Sequence, residues 1–400
     1  MSPTSPPKST ASSAVTNFRA LVDKFRYPRG STRAAPLINF TFFAGAGFSK
    51  SWDIDAPVGT ELFDFECSLV DDIIDPEVMT RIFGVDSDAL KLDDIRQIVY
   101  QLDMYERYPD IRSRYIDSQN IRMIRAALRA ATVQKYNSLC NLNYFDTNLA
   151  KFPLSRATED QAAILNMFRH LHRCIDGSQS FAEGIRTNFV TTNYDFVIET
   201  ILDNLIGPDD SLFLYTYRGF TPSTISANRN PKPTQEHWIG SHLLKLNGGF
   251  EILPHEKGYA LDYSHRQKSE IIDNPPVIML PSREQDYSDP YFGTIFPKAV
   301  RLMRDTRVLI IVGYSLPEDD ALMRFIIRQF AEEPEDGRDK AIFYIDPFMT
   351  ELQIREKVGK VFPSVESYRV PHVVPYQGSF VGFAREYVSL VDPNDTALYL

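Results

Sequence analysis

Apolar residues gather in short runs separated by longer polar or helical stretches. The runs are Leu37–Ala44, Phe189–Thr192, Leu243–Leu246, Val277–Leu280, Arg307–Val312 and Ala341–Ile345. Each is nearly continuous in apolar character, without strict alternation, as expected of strands buried on both faces of a parallel sheet. Helical spacing follows several of them, notably over Asp195–Leu205 and Asp319–Phe330. This alternation predicts an α/β fold: a Rossmann-like, doubly wound, mainly parallel sheet.

The stretch between the first run and Phe189 has no good strand signal. It carries helical patterns over Gly59–Asp75, Leu90–Tyr105, Asn120–Lys135 and Thr158–Ile175. The last opens on Thr158-Glu159-Asp160-Gln161, the spacing of a capping box, in which a hydroxyl and an amide side chain satisfy each other's backbone donors. A helical insertion subdomain is therefore expected at about residues 60–185, within one domain spanning 37–400. Residues 1–36 are expected to be a flexible tail with room for a short helix over Val15–Phe25. The Pro- and Ser-rich stretch Arg218–His237 reads as a mobile flap, and Ala331–Gly337 as a solvated acidic turn.

Composition narrows the function classes. Lys and Arg number 43 against 53 Asp and Glu, a net charge of −10, and no basic block occurs. Phosphate-backbone binding needs clustered cations, so direct, sequence-specific nucleic-acid binding is not expected. The cysteines Cys67, Cys140 and Cys174 are far apart and form no Cys-x-x-Cys pair, so no zinc is expected. Sparse cysteine, no bilayer-length apolar run and no signal-peptide core in Met1–Ser13 together predict a cytoplasmic protein without a membrane partner.

Chemistry concentrates where apolar runs end. After the first comes Gly45-Ala46-Gly47-Phe48-Ser49, a turn that can bring bare backbone and a helix N-terminus against a pyrophosphate, or simply join a strand to a helix. After the second comes Thr191-Thr192-Asn193-Tyr194-Asp195. Its polar side chains project over the carboxyl edge, where open α/β sheets bind ligands, or cap the next helix. Gly313-Tyr314-Ser315-Leu316-Pro317 follows the fifth run. There Gly313 would admit a ligand and Ser315 would bond phosphate or ribose, while Pro317 and the acidic residues after it equally suit a helix start. Asp346-Pro347 closes the sixth, as a ribose acceptor or a turn.

Taken with Leu246-Asn247-Gly248, this set resembles the sirtuin-like superfamily, specifically the divergent bacterial NAD-consuming proteins of anti-phage defence. The resemblance runs from Leu37 to the C-terminus, interrupted by the helical stretch. It implies an NAD hydrolase that releases nicotinamide and ADP-ribose and depletes NAD during infection. NAD would be the substrate, held by Gly45, Ala46, Gly47, Ser49, Thr192, Gly313, Tyr314, Ser315 and Asp346. Asn193, Asp195 and Asn247 would be catalytic, with Asn193 orienting ribose and water and Asp195 supporting it. The resemblance also implies a homo-oligomer controlled by a HerA-type ATPase, since this chain has no Walker A pattern. The family has His where this chain has Asn247, and Asn cannot take a proton at neutral pH. A variant relying on Asn193, a replaced catalytic position, and an inactive NAD- or ADP-ribose-binding scaffold therefore stand side by side. His237, His242 and His255 lie nearby in sequence, and none is assigned as the base.

Overall fold

The computed structural model describes residues 11–26, 37–66, 79–85, 89–112, 115–140, 142–149, 151–154, 156–172, 184–205, 213, 216–225, 241–332, 340–362 and 371–391. Cys67, Cys174 and His237 lie outside them, as do most of the expected flap and of the acidic turn.

Six strands build the central sheet: β1 (Ile38–Ala44), β4 (Ile185–Thr191), β5 (Leu243–Lys245), β8 (Thr306–Val312), β9 (Ala341–Asp346) and β10 (His372–Gln377). The spatial order is β10-β9-β8-β1-β4-β5, and every neighbouring pair is parallel. Numbered among themselves these strands run 3-2-1-4-5-6, the doubly wound order, with its direction reversing between β1 and β8. Near-complete burial of β1, β4, β8 and β9 accounts for their unbroken apolar sequence.

Helices pack in two groups. One comprises α1 (Ser13–Arg26), α2 (Ala46–Trp52), α6 (Glu159–His172) and α12 (Phe380–Ser389); the other comprises α9 (Pro290–Asp305), α10 (Ala321–Arg328) and α11 (Glu351–Val361). In the first group Phe18 meets Phe40, Phe343, Phe383 and Tyr387 edge-on, so α1 is part of the core and not of a tail. The capping box forms: Thr158 N–H donates to Gln161 Oε1 (3.0 Å) and Gln161 N–H to Thr158 Oγ1 (3.2 Å).

Three expectations change. Of the helix expected over Gly59–Asp75, residues 67–75 lie outside the described ones; the rest is one helical turn, α3 (Gly59–Leu62), followed by the strand β2 (Phe65–Glu66). That strand pairs antiparallel with β3 (Ala89–Leu90), so the stretch before β4 is not strand-free. Beyond these come the long helices α4 (Leu92–Arg107) and α5 (Ser118–Leu139). The run Val277–Leu280 is no sheet strand. Prolines at 275, 276 and 281 remove ladder donors around it, and only Ile278 bridges, to Gly248. It instead crosses the turn after β5, where Gly249 N–H donates to Val277 O (2.9 Å) and Met279 N–H to Asn247 O (2.8 Å). Among the described residues of 197–273 the remaining elements are α7 (Val197–Asp203), the hairpin β6 (Ile252–His255) and β7 (Gly258–Leu261), and α8 (Lys268–Asp273).

Candidate active site at the carboxyl edge

The glycine turn after β1 and the loop after β8 interlock at the point where strand order reverses. Gly45 N–H donates to Val312 O (2.9 Å) and Gly47 N–H to Gly313 O (3.1 Å). Gly313 sits at φ +63°, and a Cβ there would lie 2.2 Å from the Phe48 nitrogen; a Cβ on Gly45 would lie 2.4 Å from Gly313 O. The three glycines are therefore needed for one loop to lie on the other. This thins the expected phosphate cradle. Phe48 N–H is also taken, by Gly45 O (2.9 Å), which leaves Ala46 as the first-turn amide with no acceptor among the described residues.

A directed hydrogen-bond chain crosses this floor. Asn193, 9% exposed, donates from Nδ2 to Gly45 O (2.9 Å) and to Ser49 Oγ (2.8 Å). Gly45 O can only accept, so the NH2 group must face it and the carboxamide oxygen must turn away. Ser49 Oγ–H donates to Asp195 Oδ2 (2.6 Å), and Tyr136 OH donates to the same oxygen (3.1 Å). Asp195 Oδ1 accepts from Val197 N–H (3.1 Å), an Asx-type turn just before the helix; the N-cap itself is Phe196, which has no side-chain cap, so the capping expectation for Asp195 is not met. Ser49 and Asp195 are buried, and together they fix the direction of the Asn193 amide. Among the described residues the carboxamide oxygen of Asn193 accepts no hydrogen bond.

Tyr136 projects from α5 and was not foreseen. A tyrosine on an apolar helix face reads as core, and nothing local announces a partner 59 positions away. Burial, together with the Asp195 charge, holds its hydroxyl well above the usual tyrosine range, so it stays a donor. Cys140, one turn further, is pushed up to about 12 by burial and is inert as a thiolate source.

Asn247 is half-buried, and its side chain has no hydrogen-bond partner among the described residues. Its carbonyl holds Met279 N–H, while Tyr194 OH donates to Met279 O (2.7 Å). Both loops thus grip one residue. Gly248, at φ +81°, would place a Cβ 1.9 Å from Val277 O. Thr192 N–H donates to Ala44 O (3.2 Å), locking the two strand ends.

The adenosine-side residues divide. Ser315 is exposed, with a free hydroxyl among the described residues. Tyr314 is committed: its OH bonds Asp320, its ring meets Phe43, and its carbonyl accepts from Tyr344 OH (2.8 Å). Leu316, fully buried at φ +50°, is held in a strained backbone region beside them. Asp346 Oδ1 accepts from Phe348 N–H (2.7 Å) and Met349 N–H (2.8 Å), making the turn and leaving Oδ2 for a ligand. A cavity of about 820 Å³ opens beside this loop, lined by Ser282, Arg283, Tyr287, Pro317, Asp319 and Asp320. A second of about 250 Å³ shares Ser282 and reaches Met279. Cavities of roughly 300–1,000 Å³ suit small-molecule ligands.

Of the three histidines near Asn247 in sequence, His242 and His255 lie among the described residues. His242 lies at the amino end of β5 with Nδ1 on Asn188 Oδ1 (2.8 Å), and burial with the Arg186 charge drives it down to about 3. His255 is exposed on the β6–β7 hairpin. Among the described residues no group of three His, Cys, Asp or Glu could hold a metal ion, and no helix is long and apolar enough to cross a membrane.

No protein-family profile matches the chain, and no curated protein matches it significantly. Solved structures similar to it include a Sir2 homologue in complex with NAD, 12% identical at TM-score 0.37, covering 93% of this chain and 92% of that one. Another is Sir2Tm bound to a propionylated peptide, 11% identical at TM-score 0.36, covering 94% and 97%. Scores this low add nothing to the argument from the sheet itself. The fold is a doubly wound, parallel α/β sheet with its polar loops gathered at the switch point.

Proposed function

We propose that this chain hydrolyses NAD to nicotinamide and ADP-ribose. The observation that carries the reading is the carboxamide oxygen of Asn193, which has no hydrogen-bond partner among the described residues and is held at the carboxyl edge between the glycine turn and Asp195. The nicotinamide–ribose bond breaks with its electron pair going to the cationic ring nitrogen, so the leaving group departs neutral and needs no strong acid. Water then bonds to the ribose carbon and its proton passes to solvent. The enzyme's task is to orient ribose and water and to stabilise developing charge. Asn193 accepts a hydrogen bond from one of them, and Ser49, Asp195 and Tyr136 keep its amide turned the right way. Ala46 N–H and Ser315 Oγ are donors for the phosphates, with Asp346 Oδ2 facing a ribose hydroxyl.

In this reading NAD depletion serves anti-phage defence, within a homo-oligomer governed by a HerA-type ATPase on another chain, as the sequence resemblance implies. The helices between β1 and β4 form the insertion subdomain and offer the partner surface. The second reading is a scaffold that binds NAD or ADP-ribose without turnover, favoured by Asn247, which cannot act as a base. Nicotinamide release from NAD by the pure protein, with and without its partner, separates the two. Release abolished by Asn193→Ala and spared by Asn247→Ala is the expected result. NAD binding without release in either condition would establish the scaffold.

A further inference from the structure

Directly beneath both loops lies a buried ionic cluster that the chemistry above does not use. Lys245, the last residue of β5, is 3% exposed, while Glu199 of α7 and Glu251 before β6 are 0% and 1% exposed. The Lys245 ammonium has three protons and three directions of contact. It reaches Asp195 O at 2.6 Å, Glu199 Oε1 at 2.8 Å and Glu251 Oε1 at 2.9 Å. It also stands over the Phe196 ring, 5.5 Å from its centre. Glu251 fills the space beside Gly249, where a Cβ would lie 2.3 Å from its Oε2. The Lys245 carbonyl accepts from Gly248 N–H (3.2 Å) and from Tyr291 OH (2.8 Å).

Two carboxylates around one ammonium in a dry interior are a poor way to gain stability, because desolvation offsets the attraction. Glu199 Oε2 has no partner among the described residues, which adds to the cost. Burial lowers the lysine's affinity for its proton, but the two carboxylates outweigh it and hold Lys245 above its usual range. Burial pushes Glu251 up to about 7 against the pull of Lys245. What the arrangement supplies is geometry. One nitrogen ties the backbone of the loop bearing Asn193 and Asp195 to the segment that follows Asn247 and Gly248.

We infer that Lys245 is a positioning residue that fixes the Asn193–Asp195 loop against the Asn247–Gly248 turn, with Glu199 and Glu251 setting the direction of its ammonium. This inference rests on the proposed NAD chemistry for its kinetic arm alone. The test is the neutral, volume-matched variant Lys245→Met/Glu199→Gln/Glu251→Gln, checked for folding by circular dichroism and melting. It is followed by nicotinamide release and by hydrogen exchange. Expected are a KM for NAD within about 3-fold of the parent, kcat lowered by roughly 30-fold or more, and exchange at 193–197 and 247–251 faster by about 10-fold, with β1 and β8 unchanged. Unchanged kcat, or a uniform loss of protection across the sheet, overturns it. If the triple variant does not fold, Glu251→Gln keeps a balanced Lys245–Glu199 pair. Faster exchange confined to 247–251 supports the inference, and no change overturns it. A parent that releases no nicotinamide refutes the NAD hydrolase reading, and the exchange result then decides this inference by itself.

Discussion

Asn188 and Asn193 belong to the same strand and the loop that leaves it, yet their surroundings are opposite. Asn188 is fully buried in the amino half of the sheet and saturated. Its Nδ2 donates to Asn39 Oδ1 (3.1 Å), and its oxygen accepts from His242 N–H (3.1 Å) and Nδ1 (2.8 Å). Nearby, Thr41 and Thr306 share a 2.6 Å hydroxyl contact, and Thr306 Oγ1 donates on to Leu302 O (2.6 Å). Asn193 uses both amide protons and keeps its oxygen unspent. Both networks are buried and well formed, so burial and bonding alone do not mark a site. What sets Asn193 apart is an acceptor with no partner among the described residues, beside the switch point.

Four experiments would break or sharpen this contrast. Asn193→Ala should lower kcat for nicotinamide release by about 10²–10³-fold, the scale of losing one preorganised polar group, in steady-state assays on folded protein. Gly313→Ala should cost about 2–3 kcal/mol in denaturant unfolding and weaken NAD binding in calorimetry, since φ +63° and the Phe48 contact both oppose a Cβ. Asn188→Ala should instead cost roughly 1–3 kcal/mol of stability with kcat unchanged, because it orphans buried partners. A collapse of kcat at intact fold would erase the distinction between the two asparagines. The smallest effect belongs to Tyr136→Phe, which removes one donor from Asp195 while keeping the ring packed on Phe250. It should lower kcat by about 10-fold and cost roughly 1 kcal/mol in denaturant unfolding, since the buried Asp195 keeps Ser49 as a side-chain donor.

Between the last two in size falls a pH effect at the amino half. Folded His242 takes its proton only near 3, so below its ordinary value of 6.5 the unfolded chain binds a proton that the folded chain does not. Stability is full above 6.5 and falls as pH drops towards 3. His242→Gln should thus spare about 2 kcal/mol of the loss that the parent suffers between about pH 7.5 and 5, compared by denaturant titration at both values. Glu251 titrates in the opposite sense over part of this window, which the parent–variant difference cancels.

Much of the fold could be read from residue order because buried parallel strands leave continuous apolar runs. Five of the six expected runs are sheet strands. Val277–Leu280 has the same composition, but flanking prolines and the turn at Asn247 claim its backbone. The β10 strand was missed because Pro375 and its exposed ends interrupt the pattern. In the candidate site, strand-end position pointed to Asn193, Asp195, Ser49 and Asn247, whereas the glycines serve loop-on-loop contact first. Tyr136 was invisible because its partner is distant in sequence. Lys245 had left a signal, a lone charge inside Leu-Leu-Lys-Leu, whose meaning depends on two glutamates on other elements.

Tyr136 also bears on how the chain could be shortened. A version in which residues 59–172 gave way to a tight connection would retain all six sheet strands, since none of them lies there. It would nonetheless deprive Asp195 of one of its two side-chain donors and expose the back of the Asn193 loop to water. On the proposed reading, the unit that holds Asn193 in place is thus larger than the sheet. A minimal version would need α5, or a designed substitute that delivers a hydroxyl to the same carboxylate oxygen.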